Sequence, residues 1–388
     1  MNFEWANRLK KLPPYLFAEI DRLKRESREA GHDIIDLGIG DPDIPTPNFI
    51  IDELYSQAKI QANQRYALDA GVPALRKEIA LWAKARFGVE LDPVTEIIPT
   101  IGSKEALVHF PLAVINPGDL ALVPDPCYPA YKSAISFAGG EFETMPLLAE
   151  NGFMPDFKSM DENVLKRATM MYLNYPNNPT SACATKEFYE EAVAVAKKYN
   201  IIICSDLAYS EMAYDGYKPL SIFEVEGAKD VAIEFHSFSK TYNMTGWRVG
   251  FAYGNSELIK LLAKVKANID SGVFQAIQYA ALKALKEGQP SVENNLAKYK
   301  QRRDILVEGL RSLGYEVNCP KATFYLWVKV PEGYTSADFC MKLLKEAHLI
   351  VTPGNGFGTC GEGYFRFALT VDATKLPEVI ERMRKVKL

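Results

Sequence analysis

From about residue 97 to residue 253, short apolar runs alternate with stretches of helical periodicity. The runs at 96–100, 120–123, 169–173, 201–205, 231–235 and 249–253 are too short for buried helices and rich in strand formers. Between them, Lys186 to Tyr199 sets Phe188, Ala192, Val195, Ala196 and Tyr199 on one helical face. Strands that alternate with amphipathic helices pack as a mainly parallel sheet with helices outside, so the fold class is α/β. After about residue 285 the pattern changes. Residues 324–330 and 364–369 read as strands near helices, which suggests a smaller α+β unit. The first 35 or so residues carry a mixed charged and apolar helical pattern, interrupted by Pro13-Pro14.

Composition narrows the function classes. The chain has 388 residues, enough for a large core and about two domains. Its net charge of −4 offers no basic excess for nucleic acid. No apolar run approaches the ~20 residues that span a bilayer. The start, Met1-Asn2-Phe3-Glu4-Trp5, lacks the basic and apolar segments of a signal peptide. Six scattered cysteines form no Cys-x-x-Cys pair, which fits reduced thiols in a cytoplasm. The four histidines show no ligand spacing, and no metal site is expected.

The chemistry concentrates where apolar runs end. Ser237-Phe238-Ser239-Lys240 follows one run, and Arg248 opens the next. A lysine held at a strand end by small hydroxyl residues can form a Schiff base with an aldehyde cofactor, while serines and arginine hold a phosphate. Enzymes that use pyridoxal 5′-phosphate (PLP) are built this way. A solvated lysine in a strand–loop–strand turn is the other reading of this segment alone. Asp206 ends the run Ile201-Ile202-Ile203-Cys204-Ser205, at the strand end where open α/β sheets bind ligands. A carboxylate there pairs with a pyridinium nitrogen. Tyr209 and Asn178 are candidate partners of the ring phenolate. Gly102-Ser103-Lys104 reads as a turn that opens a helix after a strand, a phosphate seat or a plain N-cap. Tyr128, between Pro126 and Pro129, is a candidate to stack on the ring or a core tyrosine. Arg366 sits in Tyr364-Phe365-Arg366-Phe367, where a charge requires a partner unless it alternates outward on an edge strand.

Asn178-Pro179-Thr180, Asp206 with Tyr209, Ser237-x-Ser239-Lys240, Arg248 and Arg366 appear in the order and separations of a known family. Across essentially its whole length the chain resembles the class I aminotransferases of PLP fold type I. The resemblance implies a seven-stranded, mainly parallel sheet in a large PLP-binding domain (46–285). It also implies a small domain made of 286–388 and part of the N-terminal arm (1–45). It assigns the internal Schiff base to Lys240, the pyridinium to Asp206 and the phosphate to Ser103, Lys104, Ser237 and Arg248. Arg366 takes the substrate α-carboxylate, assisted by Asn178 and the Gly40 backbone. Tyr66 resembles the tyrosine that reaches the neighbouring subunit's phosphate, which implies a homodimer with shared sites. One departure is visible: Ser181 stands where the family motif carries glycine, at a strain cost if the backbone there needs positive φ.

Segments at 12–17, 37–42, 175–180 and 268–272 resemble the branch of the family that acts on LL-diaminopimelate. That implies 2-oxoglutarate or glutamate as the second substrate, in lysine biosynthesis, with Tyr15, Asn268 and Asp270 available for the far end of the substrate. Aspartate, alanine or an aromatic amino acid on the same scaffold is the alternative. A PLP carbon–sulfur β-lyase is the alternative of another class.

Overall fold

The computed structural model describes residues 3–10, 12, 22, 24–27, 29–67 and 70–387. Its centre is a sheet of seven strands: β1 (Ile97–Thr100), β2 (Leu120–Asp125), β3 (Glu141–Pro146), β4 (Ala168–Asn174), β5 (Ile202–Asp206), β6 (Ala232–Ser237) and β7 (Gly250–Gly254). The spatial order is β1-β7-β6-β5-β4-β2-β3. The pairs from β6 out to β3 are parallel, whereas β7 runs antiparallel to both β6 and β1. The sheet is therefore mixed, with one reversed strand.

The central strands are apolar almost throughout because both faces are covered. On one side Phe110, Tyr131, Tyr172 and Phe235 pack together. On the other, Met171, Leu173 and Ile203 meet Phe188, Tyr189, Ala192, Val193 and Ala196 of the helix Lys186–Tyr199. Val195 and Tyr199 are only partly buried, so the buried stripe is rotated towards Tyr189 and Val193. Thr185 caps this helix by accepting from the Phe188 amide, and Asn200 ends it in the left-handed conformation that asparagine tolerates.

Three differences from the sequence reading have physical causes. β3 reads Glu141-Phe142-Glu143-Thr144 and is mostly exposed, because it is an edge strand and lacks a double-sided apolar signature. Val231 ends a short helix, Ala228–Val231, and β6 runs on through His236 and Ser237. β7 begins at Gly250, since Arg248 has φ +53° and cannot continue a strand.

A second unit holds β8 (Tyr325–Lys329), β9 (Thr352–Pro353) and β10 (Tyr364–Ala368), antiparallel in the order β9-β10-β8. Its core includes Phe324, Leu326, Phe339, Phe365 and Phe367. The N-terminal segment joins it: Ile35–Asp36 pairs parallel with Leu349–Ile350, and Leu37 accepts from the Ala368 amide. All six cysteines are free. No helix among the described residues is long and apolar enough to cross a membrane.

Candidate active site

The parallel strands β4, β5 and β6 end side by side in Asn174, Asp206 and Ser237. Above those ends lies a cavity of about 550 Å³. It gathers Gly40, Ser103, Lys104, Tyr128, Asn178, Asp206, Tyr209, Ser237, Lys240, Arg248 and Arg366. Residues more than 300 positions apart in sequence therefore meet in one space.

Three charges in this cavity lack an opposite charge of their own. The Asp206 carboxylate is 5% exposed and accepts from the Tyr131 hydroxyl at 2.6 Å and the Ala208 amide at 3.3 Å. It pairs with no cationic side chain among the described residues. Burial pushes the carboxyl up to about 6, against the pull of those two donors. Arg366, 1% exposed, donates to Asn178 Oδ1 at 2.6 Å and Gly38 O at 2.7 Å. Its guanidinium lies 4.1 Å from the Tyr325 ring centroid and 4.6 Å from that of Phe357. No carboxylate of the described residues pairs with it, and its Nε is buried without a partner. Arg248 donates to Thr245 O at 2.9 Å and pairs with no carboxylate of the described residues. A side chain at residue 102 would meet Arg248 Nη2 at 2.5 Å, so Gly102, at φ +72°, makes room for the guanidinium beside Ser103.

Lys240 lies between these charges. Its ammonium donates to Gly40 O at 2.9 Å and stands 5.5 Å from the Phe324 ring centroid. Desolvation pushes its pKa down to about 8; Asp41 opposes that shift, while Arg366 and Arg248 reinforce it. An amine so tuned is neutral in about a tenth of molecules at pH 7, far more than a solvated lysine, and can act as nucleophile and base. The donor set fits PLP: a buried anion for a ring cation, a reactive amine, and an arginine with two serines at the far end for a phosphate.

The other residues named from the sequence are spread over several places. Gly40 lines the cavity and its carbonyl accepts from Lys240, while the Gly38 carbonyl accepts from Arg366. Asn268 points its amide at Lys264 O and Asp270 pairs with the buried ammonium of Lys266, so neither lines this cavity. Tyr66, expected at a neighbouring subunit's site, is 88% exposed and lies outside its own chain's cavity. Tyr15 lies outside the described residues. Ser181 does take positive φ, at +62°, and its hydroxyl bonds Thr323 Oγ1 at 2.7 Å and Tyr325 O at 2.9 Å. Those bonds offset strain that glycine would avoid.

Three residues were missed. Tyr131 orients Asp206, and Asn174 donates to Asp206 O at 2.8 Å while accepting from the Asn178 amide. Tyr325 meets Tyr209 hydroxyl to hydroxyl at 3.1 Å. For Tyr131 the signal was the Pro129-Ala130-Tyr131 motif beside Tyr128. Behind the Ser103 turn, Glu105 accepts from the Ile101 amide, His109 and Lys266. With Asp270, Glu105 and His109 form the cluster of metal-type donors found among the described residues. The Lys266 ammonium, bonded to both carboxylates, already serves as their cation.

Residues 32–383 match the model of the class I and II aminotransferases. A protein of Syntrophobacter fumaroxidans named LL-diaminopimelate aminotransferase is 54% identical over 386 residues, covering 100% of both chains. One of the same name from Aquifex aeolicus is also 54% identical over 386 residues. Among solved structures, a probable N-succinyldiaminopimelate aminotransferase of Thermus thermophilus superposes with TM-score 0.90 at 35% identity, over 96% of this chain and 100% of its own. An aspartate aminotransferase mutant of the same species gives TM-score 0.92 at 29% identity, over 100% of both chains. The chain belongs to the class I and II aminotransferases and is a PLP-dependent transferase of amino groups.

Proposed function

We propose that this aminotransferase moves the amino group between LL-diaminopimelate and 2-oxoglutarate, in lysine biosynthesis, as a cytoplasmic homodimer with shared sites. One observation carries the reading: full-length identity of 54% to relatives that bear that name. The cavity supports the chemistry through its unmatched charges. Asp206 would hold the ring cation, and Ser103, Lys104, Ser237 and Arg248 would hold the phosphate. Tyr128 would pack on the ring, and Asn178 and Tyr209 would donate to its phenolate oxygen. Bound to Lys240, PLP supplies an electron sink for negative charge that develops at the substrate α-carbon.

The chain's own residues do the rest. Arg366 takes the substrate α-carboxylate by two parallel hydrogen bonds, its orientation fixed by Asn178 and Gly38 O. The Lys240 amine, in its neutral form, would take the proton from the substrate α-carbon. The Asp206 carboxylate, held by Tyr131, stays ionised against the ring cation. A second substrate, a 2-oxo acid, reverses the sequence and gives ping-pong kinetics.

Tyr66, Tyr55, Ile269 and Phe274 are large apolar side chains exposed on one chain, which supports a dimer that covers them. Tyr66 then serves the neighbouring subunit's phosphate. The division of the chain at about 45 and 285 belongs to the same proposal.

A panel of amino donors with 2-oxoglutarate tests the substrate. LL-diaminopimelate should exceed aspartate, alanine and phenylalanine in kcat/KM. A site that pairs a distal ammonium and carboxylate rejects donors lacking them by about 10⁴-fold or more. Equal rates with alanine would end the substrate reading and leave the transferase intact. Thiol and ammonia release from cystathionine, without oxo-acid exchange, would point to a β-lyase.

A further inference from the structure

We infer that Tyr325 is a positioning residue whose hydroxyl fixes the proton of Tyr209 towards the cofactor's phenolate oxygen. The inference rests on the proposed placement of Tyr209 against that oxygen. Tyr209 and Tyr325 are 5% and 3% exposed, and their hydroxyls lie 3.1 Å apart. A phenol has one proton to donate. Among the described residues, neither hydroxyl has another hydrogen-bond partner. Only one of the two protons can lie between them, and the other faces the cavity. An anionic oxygen beside Tyr209 breaks the tie, because Tyr209 must donate to it and therefore accepts from Tyr325. Burial keeps the Tyr209 hydroxyl protonated, so it is available as a donor.

Four further contacts hold Tyr325 in place. Its ring lies under the Arg366 guanidinium, at 4.1 Å from the centroid. Its amide donates to Thr323 Oγ1, and its carbonyl accepts from Ser181. Its hydroxyl occupies the space a side chain at residue 40 would fill, since a Cβ there would lie 2.0 Å from it. Tyr325 thus touches both halves of the site: the arginine that receives the substrate carboxylate, and the tyrosine that faces the cofactor.

The consequence is spectroscopic. A donor to the phenolate favours the form with most negative charge on that oxygen, which is the form left when the lysine–cofactor linkage loses its proton. A weaker donor lets the linkage hold its proton to higher pH. The charged groups around the linkage are Asp206 from β5, Asp41 from the N-terminal segment, Lys104 from the helix after β1, Arg248, and Arg366 from β10. Tyr325→Phe alters none of these charges.

The experiment titrates the visible absorbance of the holoenzyme against pH in four proteins: parent, Tyr209→Phe, Tyr325→Phe and the double variant. Tyr209→Phe removes a hydrogen bond to a charged group and should raise the midpoint by about 1–2 units. Tyr325→Phe removes only the support of that bond, and should raise it by roughly 0.1–0.7 unit. It keeps its ring on Arg366, so donor KM should stay within about twofold. In the Tyr209→Phe background, Tyr325→Phe should add nothing. No shift in Tyr209→Phe would strike the placement of Tyr209 itself. A shift there with none in Tyr325→Phe, or one in Tyr325→Phe that persists without the Tyr209 hydroxyl, would overturn the role of Tyr325 alone.

Discussion

The two ends of the active-site cavity are built differently. At the cofactor end, Asp206 and Ser237 terminate neighbouring parallel strands, and Lys240 follows three residues after the second. Asp206 and Ser237 take their positions from strands fixed on both flanks by ladder hydrogen bonds, and Lys240 from the helical turn Phe238–Thr241 that follows the second. At the substrate end, Arg366 comes from β10 and is oriented by Asn178 and Gly38, 188 and 328 residues away in sequence. Reactive chemistry thus sits on the rigid sheet, whereas substrate recognition is assembled from two units and the N-terminal segment. Changes at the first end should alter the reaction itself, and changes at the second should alter which molecules enter it.

The largest effect should come from Lys240. Lys240→Ala removes tether, nucleophile and base together, and turnover should fall by roughly 10⁴-fold. Retention of activity within about tenfold would place the chemistry elsewhere. Arg366→Lys keeps the charge but loses the planar fork. We expect kcat/KM to fall by about 30- to 1000-fold for every α-amino acid donor, since all share the α-carboxylate. A loss confined to one donor would mean that Arg366 reads a side chain instead.

Asp206 offers a pH test without cofactor. Its carboxyl stands near 3.8 when solvated and is raised to about 6 in the fold. A raised carboxyl stabilises the fold most below about 3.8 and loses that contribution as pH rises through about 6. Cofactor-free protein should therefore show a stability decline across that window, which Asp206→Asn abolishes. A ring cation removes the penalty, so PLP should raise Tm more at pH 8 than at pH 5. An equal rise at both would contradict the pairing.

The smallest effect concerns the junction of the two ends. Ser181→Ala keeps the strained backbone and loses both hydroxyl contacts, at a cost of about 1–2 kcal/mol in unfolding free energy. Ser181→Gly also loses the contacts but relieves the strain, and should stay within about 1 kcal/mol of the parent. If the two variants are equally destabilised, the strain at φ +62° carries no weight.

The same contrast explains what could be read from the sequence. Asp206 and Lys240 were legible because an apolar run that stops at a polar residue is a local pattern, and strand ends are where α/β sheets bind ligands. Tyr325 was not, since its contact with Tyr209 spans 116 residues and its own segment reads as plain core. Tyr131 stood in a visible motif beside Tyr128, but its bond to Asp206 spans 75 residues and so its partner was not legible. β3 was missed because an exposed edge strand carries charges instead of an apolar run. Asp270 was named, from its motif alone, as available for the far end of the substrate. The fold gives it to Lys266, which bonds Glu105 behind the Ser103 turn.

The central claim is that one lysine of this chain carries the cofactor. Borohydride reduction of the holoenzyme, followed by proteolysis and mass mapping, tests it directly. We expect a single pyridoxyl adduct, on Lys240. An adduct on another lysine, such as Lys104 at the same cavity, with Lys240 unmodified, would contradict the account.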